Sequence, residues 1–150
     1  MTDSVTDMWC AYQPRRTDHS ADYSVWYFAD NEVDANGLVE LVLTGAKRAT
    51  VSALWAHEAD GKPVPQPGDL AVVTDWGGTA QCIIRTTAVN VVPYNKVTEA
   101  FAASEGEGDL SLQHWRAVHW PYFGREMQRI GRQLTETIPV VCHEFEVVYP

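Results

Sequence analysis

Apolar residues recur along the chain with two different periods, and the switches between them divide it into elements. From Asp34 to Thr44 the spacing is helical: Leu38, Leu41 and Val42 share one face, Asp34 is placed as an N-cap, and Gly45 is placed as a left-handed stop. Trp26, Tyr27 and Phe28 predict a short earlier helix whose rings pack on the body. Lys47 to Trp55 leads into a strand, and Gly61, Pro63, Pro65, Pro67 and Gly68 mark a long loop. Asp69 to Asp75 alternates as a strand, Trp76-Gly77-Gly78-Thr79 reads as a hairpin turn, and Ala80 to Val92 returns as a long β run. Thr98 caps a short helix over Glu99 to Ser104. An acidic loop, Glu105-Gly106-Glu107-Gly108-Asp109, precedes a helix from Ser111 to His119. Another helix is predicted from Pro121 to Gly131, with Phe123, Met127 and Ile130 opposed to Arg125, Arg129 and Arg132. Val141, His143, Phe145, Val147 and Tyr149 alternate through a closing strand.

Residues 1–20 show no sustained period and read as a mobile or loosely docked arm that Trp9 and Tyr12 could pin, with residues 21–150 as a single domain. The order (helix, several strands, helices, last strand) predicts an α+β fold. A small β-barrel flanked by helices suits it better than a doubly wound sheet, because βαβ units are few.

Composition narrows the functional classes. The 150 residues are 45% hydrophobic and 11% aromatic, which excludes a disordered chain. No apolar run reaches the length that crosses a bilayer, and no basic segment followed by an apolar core opens the chain; a cytoplasmic protein without membrane partners is expected. The net charge is −9, and the first 40 residues carry eight acids against two bases, net −6. Such a chain repels phosphate backbones at long range, which argues against salt-driven duplex binding. Cys10, Cys82 and Cys142 are odd in number and far apart, which fits reduced thiols rather than a disulfide framework or a zinc site.

The most informative stretch is Gly45-Ala46-Lys47-Arg48-Ala49-Thr50, followed by Val51-Ser52. A cation and a hydroxyl three residues apart could face one pocket, yet the pattern is not a Walker A loop. From spacing alone, Lys47 is a solvated cation at a helix C-terminus. Glu105, Glu107 and Asp109 could hold Mg²⁺ against a phosphate, as a nuclease would require, or form a solvated loop. Arg48, Arg125, Arg129 and Arg132 could follow an RNA backbone, or the last three could be a wet helix face. Trp55, Trp76, Trp115 and Trp120 could stack on a base or sit in the core, and Ser52 could extend a polar wall. His57, His114, His119 and His143 lack metal spacing and read as surface or hydrogen-bonded histidines.

Gly45-x-Lys47-x-x-Thr50 after a Leu-rich helix resembles the signature of the activating signal cointegrator homology (ASCH) family. The likeness extends over residues 24–149 through Pro67-Gly68-Asp69, Thr74-Asp75-Trp76, Cys82-Ile83-Ile84, the acidic loop before a Trp115-containing helix, and Val141-Cys142-His143-Glu144-Phe145. It implies a fold similar to the pseudouridine-synthase-and-archaeosine-transglycosylase (PUA) domains, a β-barrel with flanking helices and a cleft. It also implies an amidohydrolase that removes acyl groups from N4-acylated cytidines, a small nucleoside substrate and no cofactor. Lys47, Thr50 and Glu105 would be catalytic, with Glu107 two positions from Glu105. Read from the residues themselves and not from the resemblance, Arg48, Ser52, Trp55, Asp75, Glu107, Arg125 and Arg129 are the candidates for substrate binding. Other members bind or process RNA, so the alternative is a single-stranded RNA binder or ribonuclease, with Mg²⁺ in the cleavage case. Amide hydrolysis itself leaves two schemes open. Either Lys47 acts as base toward Thr50 with Glu105 as acid or as the group orienting Lys47, or Lys47 stays cationic beside the oxyanion while Glu105 activates water.

Overall fold

The two long alternating runs form the centre of the molecule, a computed structural model that describes residues 3–15 and 22–150. Strands β4 (Ala80–Pro93) and β5 (Pro139–Tyr149) pair antiparallel. Strand β3 (Leu70–Thr74) pairs with β4, and β2 (Ala49–Ala53) with β5, also antiparallel. Strand β1 (Ser24–Trp26) runs parallel to β3, giving the order β1-β3-β4-β5-β2. The register slips at Val73/Thr74, Ile83/Ile84 and Thr86/Ala88. Each slip adds local bend and twist, and the sheet curls into a half-barrel.

Helices cover both faces. Helix α2 (Glu32–Leu43) lays Val39 and Val42 on Ala71, Val73, Cys82, Ile84 and Phe145. Helix α1 (Ser4–Tyr12) covers the alternate residues of the same strands, with Trp9 and Tyr12 buried against Leu70, Val72 and Ile83. Ala102 of α4 (Glu99–Ser104) and Trp115, Phe123 and Met127 of α5 (Leu112–Arg129) bury Val51, Ala53, Val140 and Cys142. Among the described residues, no helix is long and apolar enough to cross a membrane.

The α+β half-barrel with flanking helices matches the expectation; several local elements differ. Ser4–Tyr12 is a helix although residues 1–20 carry no sustained period, because only Trp9 and Tyr12, with Val5 and Met8 beside them, face the sheet. Residues 1, 2 and 16–21 lie outside the described residues. Trp26 closes a strand rather than opening a helix, since Ser24–Trp26 finds the open edge of β3. Helix α2 begins earlier than Asp34: the Asn31 side chain accepts from the Asp34 N–H (2.9 Å) and donates to the Asp34 carboxylate (2.8 Å), a reciprocal cap. Trp55 is in α3 (Leu54–Asp60) rather than a strand; the helix stops at Gly61, φ 64°.

The two helices expected around Pro121 are one, α5. Proline removes one N–H there, but Trp115 before it and Phe123 and Met127 after it enter the same core, and that shared burial outweighs the missing bond.

Gly37, on the exposed side of α2, has nothing within 4 Å of the place a Cβ would take. Gly37→Ala is expected to stabilise the protein by about 0.5–1 kcal/mol. A urea titration checks this; a lowered midpoint at unchanged slope would contradict it.

Candidate functional site

The site is assembled where the end of α2 passes under the loop that follows α4. Gly45 takes φ 85°, the left-handed conformation that lets α2 stop without a Cβ clash. The chain folds back at once: the Lys47 N–H donates to Leu41 O (3.1 Å) and the Arg48 N–H to Ser104 O (2.8 Å). Arg48 O accepts from the Phe145 N–H (3.0 Å). Held from three sides, Lys47 is 2% exposed, not the solvated cation that spacing alone suggests. Its Nζ lies 3.3 Å from Glu107 Oε2, 3.5 Å from Glu105 O and 5.4 Å from the centre of the Phe28 ring.

Gly106 makes that approach possible. It takes φ 73°, and a Cβ there would stand 2.2 Å from Ala46 O. Only a bare α-carbon lets the loop press its backbone on residues 46 and 47, which places Glu105 and Glu107 on either side of one glycine beside Lys47.

Glu105 is 1% exposed. Its Oε2 accepts from Trp115 Nε1–H (3.1 Å) and is 3.0 Å from His119 Nε2, while its Oε1 is buried with no partner. His119 in turn donates from Nδ1 to Trp115 O (2.8 Å) and stacks on the Trp115 indole, 4.4 Å between centres at 19°. Both residues belong to the continuous α5, one turn apart, so the histidine is aimed by a rigid element.

Burial resists charging every member of this cluster, and neighbours decide the outcome. For Glu105, burial raises the pKa, but the Lys47 ammonium, the His119 bond and charge, and a hydrogen bond from Glu107 outweigh it and leave the group below the ordinary carboxylate value. For Glu107, burial and the Glu105 charge outweigh Lys47 and leave it above that value. For His119, burial lowers the pKa, but the bond and charge of Glu105 and the Trp115 carbonyl raise it further than that. One carboxylate, one carboxyl that holds its proton longer, and an imidazolium-favouring ring therefore surround one ammonium.

Thr50 stands in β2 directly opposite His143 of β5, so the two side chains share a face of the sheet. His143 shares a 2.7 Å hydrogen bond with Thr86 Oγ1 and touches the rings of Trp26 and Phe145. Burial pushes its pKa down to about 4. Phe28, under the Lys47 ammonium, packs on Phe145 of the same face. A hollow of about 400 Å³ is bordered by Lys47, Arg48, Val42 and Phe145; Thr50 is not on its wall.

The remaining candidates scatter. Ser52 Oγ is 2.8 Å from His57 Nε2, whose Nδ1 is buried without a partner. Arg48 is exposed. Trp55 packs on the core beside α5 with the Arg132 guanidinium 4.3 Å over its ring. Asp75 holds the β3–β4 turn by accepting from the Thr79 N–H (2.9 Å). Arg125 is paired with Asp30 (2.8 Å), and Arg129 with Asp60 (2.8 Å) and Glu126 (2.6 Å). Asp109 accepts from Ser111 N–H and Oγ–H instead of facing Glu105.

The ligand atoms of Glu105, Glu107 and His119 fall within 4.8 Å of one another, a donor set close enough for a cation. The cation they face is the Lys47 ammonium, and the cluster is an ion-pair network. His119 is the member that sequence reasoning missed: its position four residues after Trp115, on a helix following the acidic loop, was the signal available.

Comparison with known proteins agrees with this architecture. The ASCH domain model matches residues 24–149. The crystal structure of an ASCH domain from Lactobacillus crispatus JV V101 is 38% identical at TM-score 0.88, covering 100% of this chain and 97% of that one. The crystal structure of protein EF3133 from Enterococcus faecalis V583 is 31% identical at TM-score 0.89, covering 97% and 88%. A search of curated proteins finds no significant match. The fold is of the PUA-like class, and the chain belongs to the ASCH family.

Two expectations follow from the geometry. Gly106→Ala should cost about 1–3 kcal/mol from the left-handed backbone alone, with the Ala46 overlap added; chemical denaturation measures it, and a neutral effect would contradict the close approach. By NMR, the His143 ring should titrate near pH 4 and the His119 ring above its ordinary 6.5. By linkage, His143 then withdraws stability as pH falls from 6.5 toward 4, whereas the His119 contribution is complete below 6.5 and lost as pH rises through its folded value. Coincident midpoints would contradict the two environments.

Proposed function

We propose that this protein hydrolyses the exocyclic amide of an N4-acylated cytidine or a similar modified nucleoside. The observation that carries the reading is the fully buried ammonium of Lys47, presented to a carboxyl pair, 3.3 Å from the Glu107 oxygen. An amide carbonyl develops negative charge when attacked. A fixed cation in a low-dielectric pocket stabilises that charge without reorganising.

The carboxyl pair, which carries one negative charge beside Lys47, favours the scheme in which Lys47 stays cationic. Water adds to the acyl carbon, and the carbonyl π pair becomes an oxyanion beside Lys47. The proton shed by water enters the Glu105/Glu107 pair. The C–N bond then breaks, the nitrogen leaving with the bond pair and taking a proton from the same pair. The carboxyls begin and end the cycle with one proton between them, as coupled acid pairs do. Thr50, on the His143 face and off the wall of the hollow, is given no role in this scheme. Arg125 and Arg129 are already engaged by carboxylates, and the chain is acidic overall. A small uncharged nucleoside therefore suits the site better than an RNA strand, although PUA-like ASCH domains are a class proposed to bind RNA.

Lys47→Met is expected to abolish release of cytidine from N4-acetylcytidine, detected by mass, and Glu107→Gln to lower the rate by about 10²–10⁴-fold. Circular dichroism confirms that each variant is folded. Full activity in a folded Lys47→Met protein would overturn the reading. Salt-sensitive binding or cleavage of single-stranded RNA with no action on acylcytidine would replace it with the RNA alternative.

A further inference from the structure

The carboxyl pair poses a question the reaction scheme leaves open: which of the two residues carries the proton, and what decides it. Glu105 and Glu107 differ in surroundings. Glu107 is 20% exposed and meets the tip of Lys47 and the Glu105 carboxyl, whereas Glu105 is 1% exposed with Oε2 gripped by two donors of α5. Facing the pair are Lys47 from the segment before β2, His119 and Trp115 from α5, and Cys142 from β5. Burial pushes the Cys142 thiol up to about 12, so it stays neutral.

His119 has its tautomer set. The 2.8 Å bond from Nδ1–H to Trp115 O commits that nitrogen as donor, because a carbonyl accepts only. Nε2 then faces Glu105 Oε2 at 3.0 Å. Two lone pairs would repel at that distance, so a proton lies between them, and with Nδ1 also protonated the ring that holds it on Nε2 is the imidazolium. Trp115 Nε1–H, a donor that cannot lose its proton at neutral pH, reaches the same oxygen at 3.1 Å. Two N–H groups aimed at one oxygen suit a carboxylate and disfavour an acid O–H there.

Resting on the hydrolase reading, we propose that His119 is the positioning residue of this site: its Nε2–H, together with Trp115, holds Glu105 as the carboxylate and leaves the proton of the pair on Glu107, the more exposed member, which delivers it to the leaving nitrogen. In that step the Glu107 O–H bond breaks as N–H forms. The C–N bonding pair goes to the nitrogen, and the Glu107 carboxylate regains a proton from the one shed by the attacking water. The histidine touches neither substrate nor reacting atoms; it acts through Glu105. The buried Oε1 of Glu105 takes no bond from Lys47, His119 or Trp115.

The test is a carboxyl titration on the full chain with ¹³C-labelled glutamate, read by NMR beside the pH profile of kcat on N4-acetylcytidine. In the wild type Glu105 should ionise first and Glu107 last. In His119→Phe, which keeps a ring on Trp115 but no donor, the Glu105 midpoint should rise by about one pH unit or more, and the alkaline limb of kcat should move with Glu107. His119→Gln, which retains a neutral donor, should restore part of the wild-type order, and serves if the phenylalanine variant fails to fold. Unmoved Glu105 and Glu107 midpoints in both variants would overturn the proposal while leaving hydrolysis intact. Midpoints that move as expected in a protein that hydrolyses no acylcytidine would support the proton placement and overturn the hydrolase reading.

Discussion

The burial of one lysine organises this molecule. An ammonium removed from water loses several kcal/mol of hydration, and Lys47 recovers it from the Glu107 carboxyl, the Glu105 carbonyl and the face of Phe28. Those partners come from two distant places in the chain. Phe28 precedes α2, and the two glutamates follow the end of α4, so satisfying Lys47 ties the α2 side of the sheet to the α4–α5 side. A buried cation with paired carboxyls is weak evidence for stability, because a hydrophobic replacement of equal volume often does as well. Its presence here at the expense of an apolar contact is the reason to look for chemistry at this point.

The same constraint accounts for two features that otherwise look incidental. Gly106 must lack a side chain because the carboxyl-bearing loop lies directly on Ala46 O. Helix α5 must stay unbroken through Pro121 because Trp115 and His119 grip Glu105 from one side while Phe123 and Met127 anchor the helix on the other. The β2–β5 pairing continues one step further in the bond from Phe145 N–H to Arg48 O, and Phe145 packs on Phe28.

Much of the fold was legible. Period-two runs marked β3, β4 and β5 within a residue or two, and Thr98 with Glu99–Ser104 was read as it stands. Elements held by tertiary contact were not. Strand β1 is three residues long and exists because β3 offers an edge, and α1 shows only a narrow stripe at Trp9 and Tyr12. At the site, the glycine stop and the Lys47/Thr50 spacing could be seen, but the burial of Lys47 could not, since it depends on contacts roughly 60 positions away. With a break at Pro121, His119 is the last residue of a helix; in the continuous helix it is held mid-span, and its partner Glu105 lies across a loop rather than at a helical spacing. The arginine stripe was legible as a pattern, while its pairing with Asp30 and Asp60 was a matter of the three-dimensional path.

The most direct test is a crystal structure of the protein with cytidine, the product, or a non-hydrolysable N4-acylcytidine analogue soaked or grown in. The account predicts the pyrimidine against Lys47, with its exocyclic nitrogen or acyl oxygen within hydrogen-bond distance of Nζ and the Glu107 carboxyl. A ligand bound elsewhere on the half-barrel, with Lys47 still sealed against Glu107 and Phe28, would contradict it.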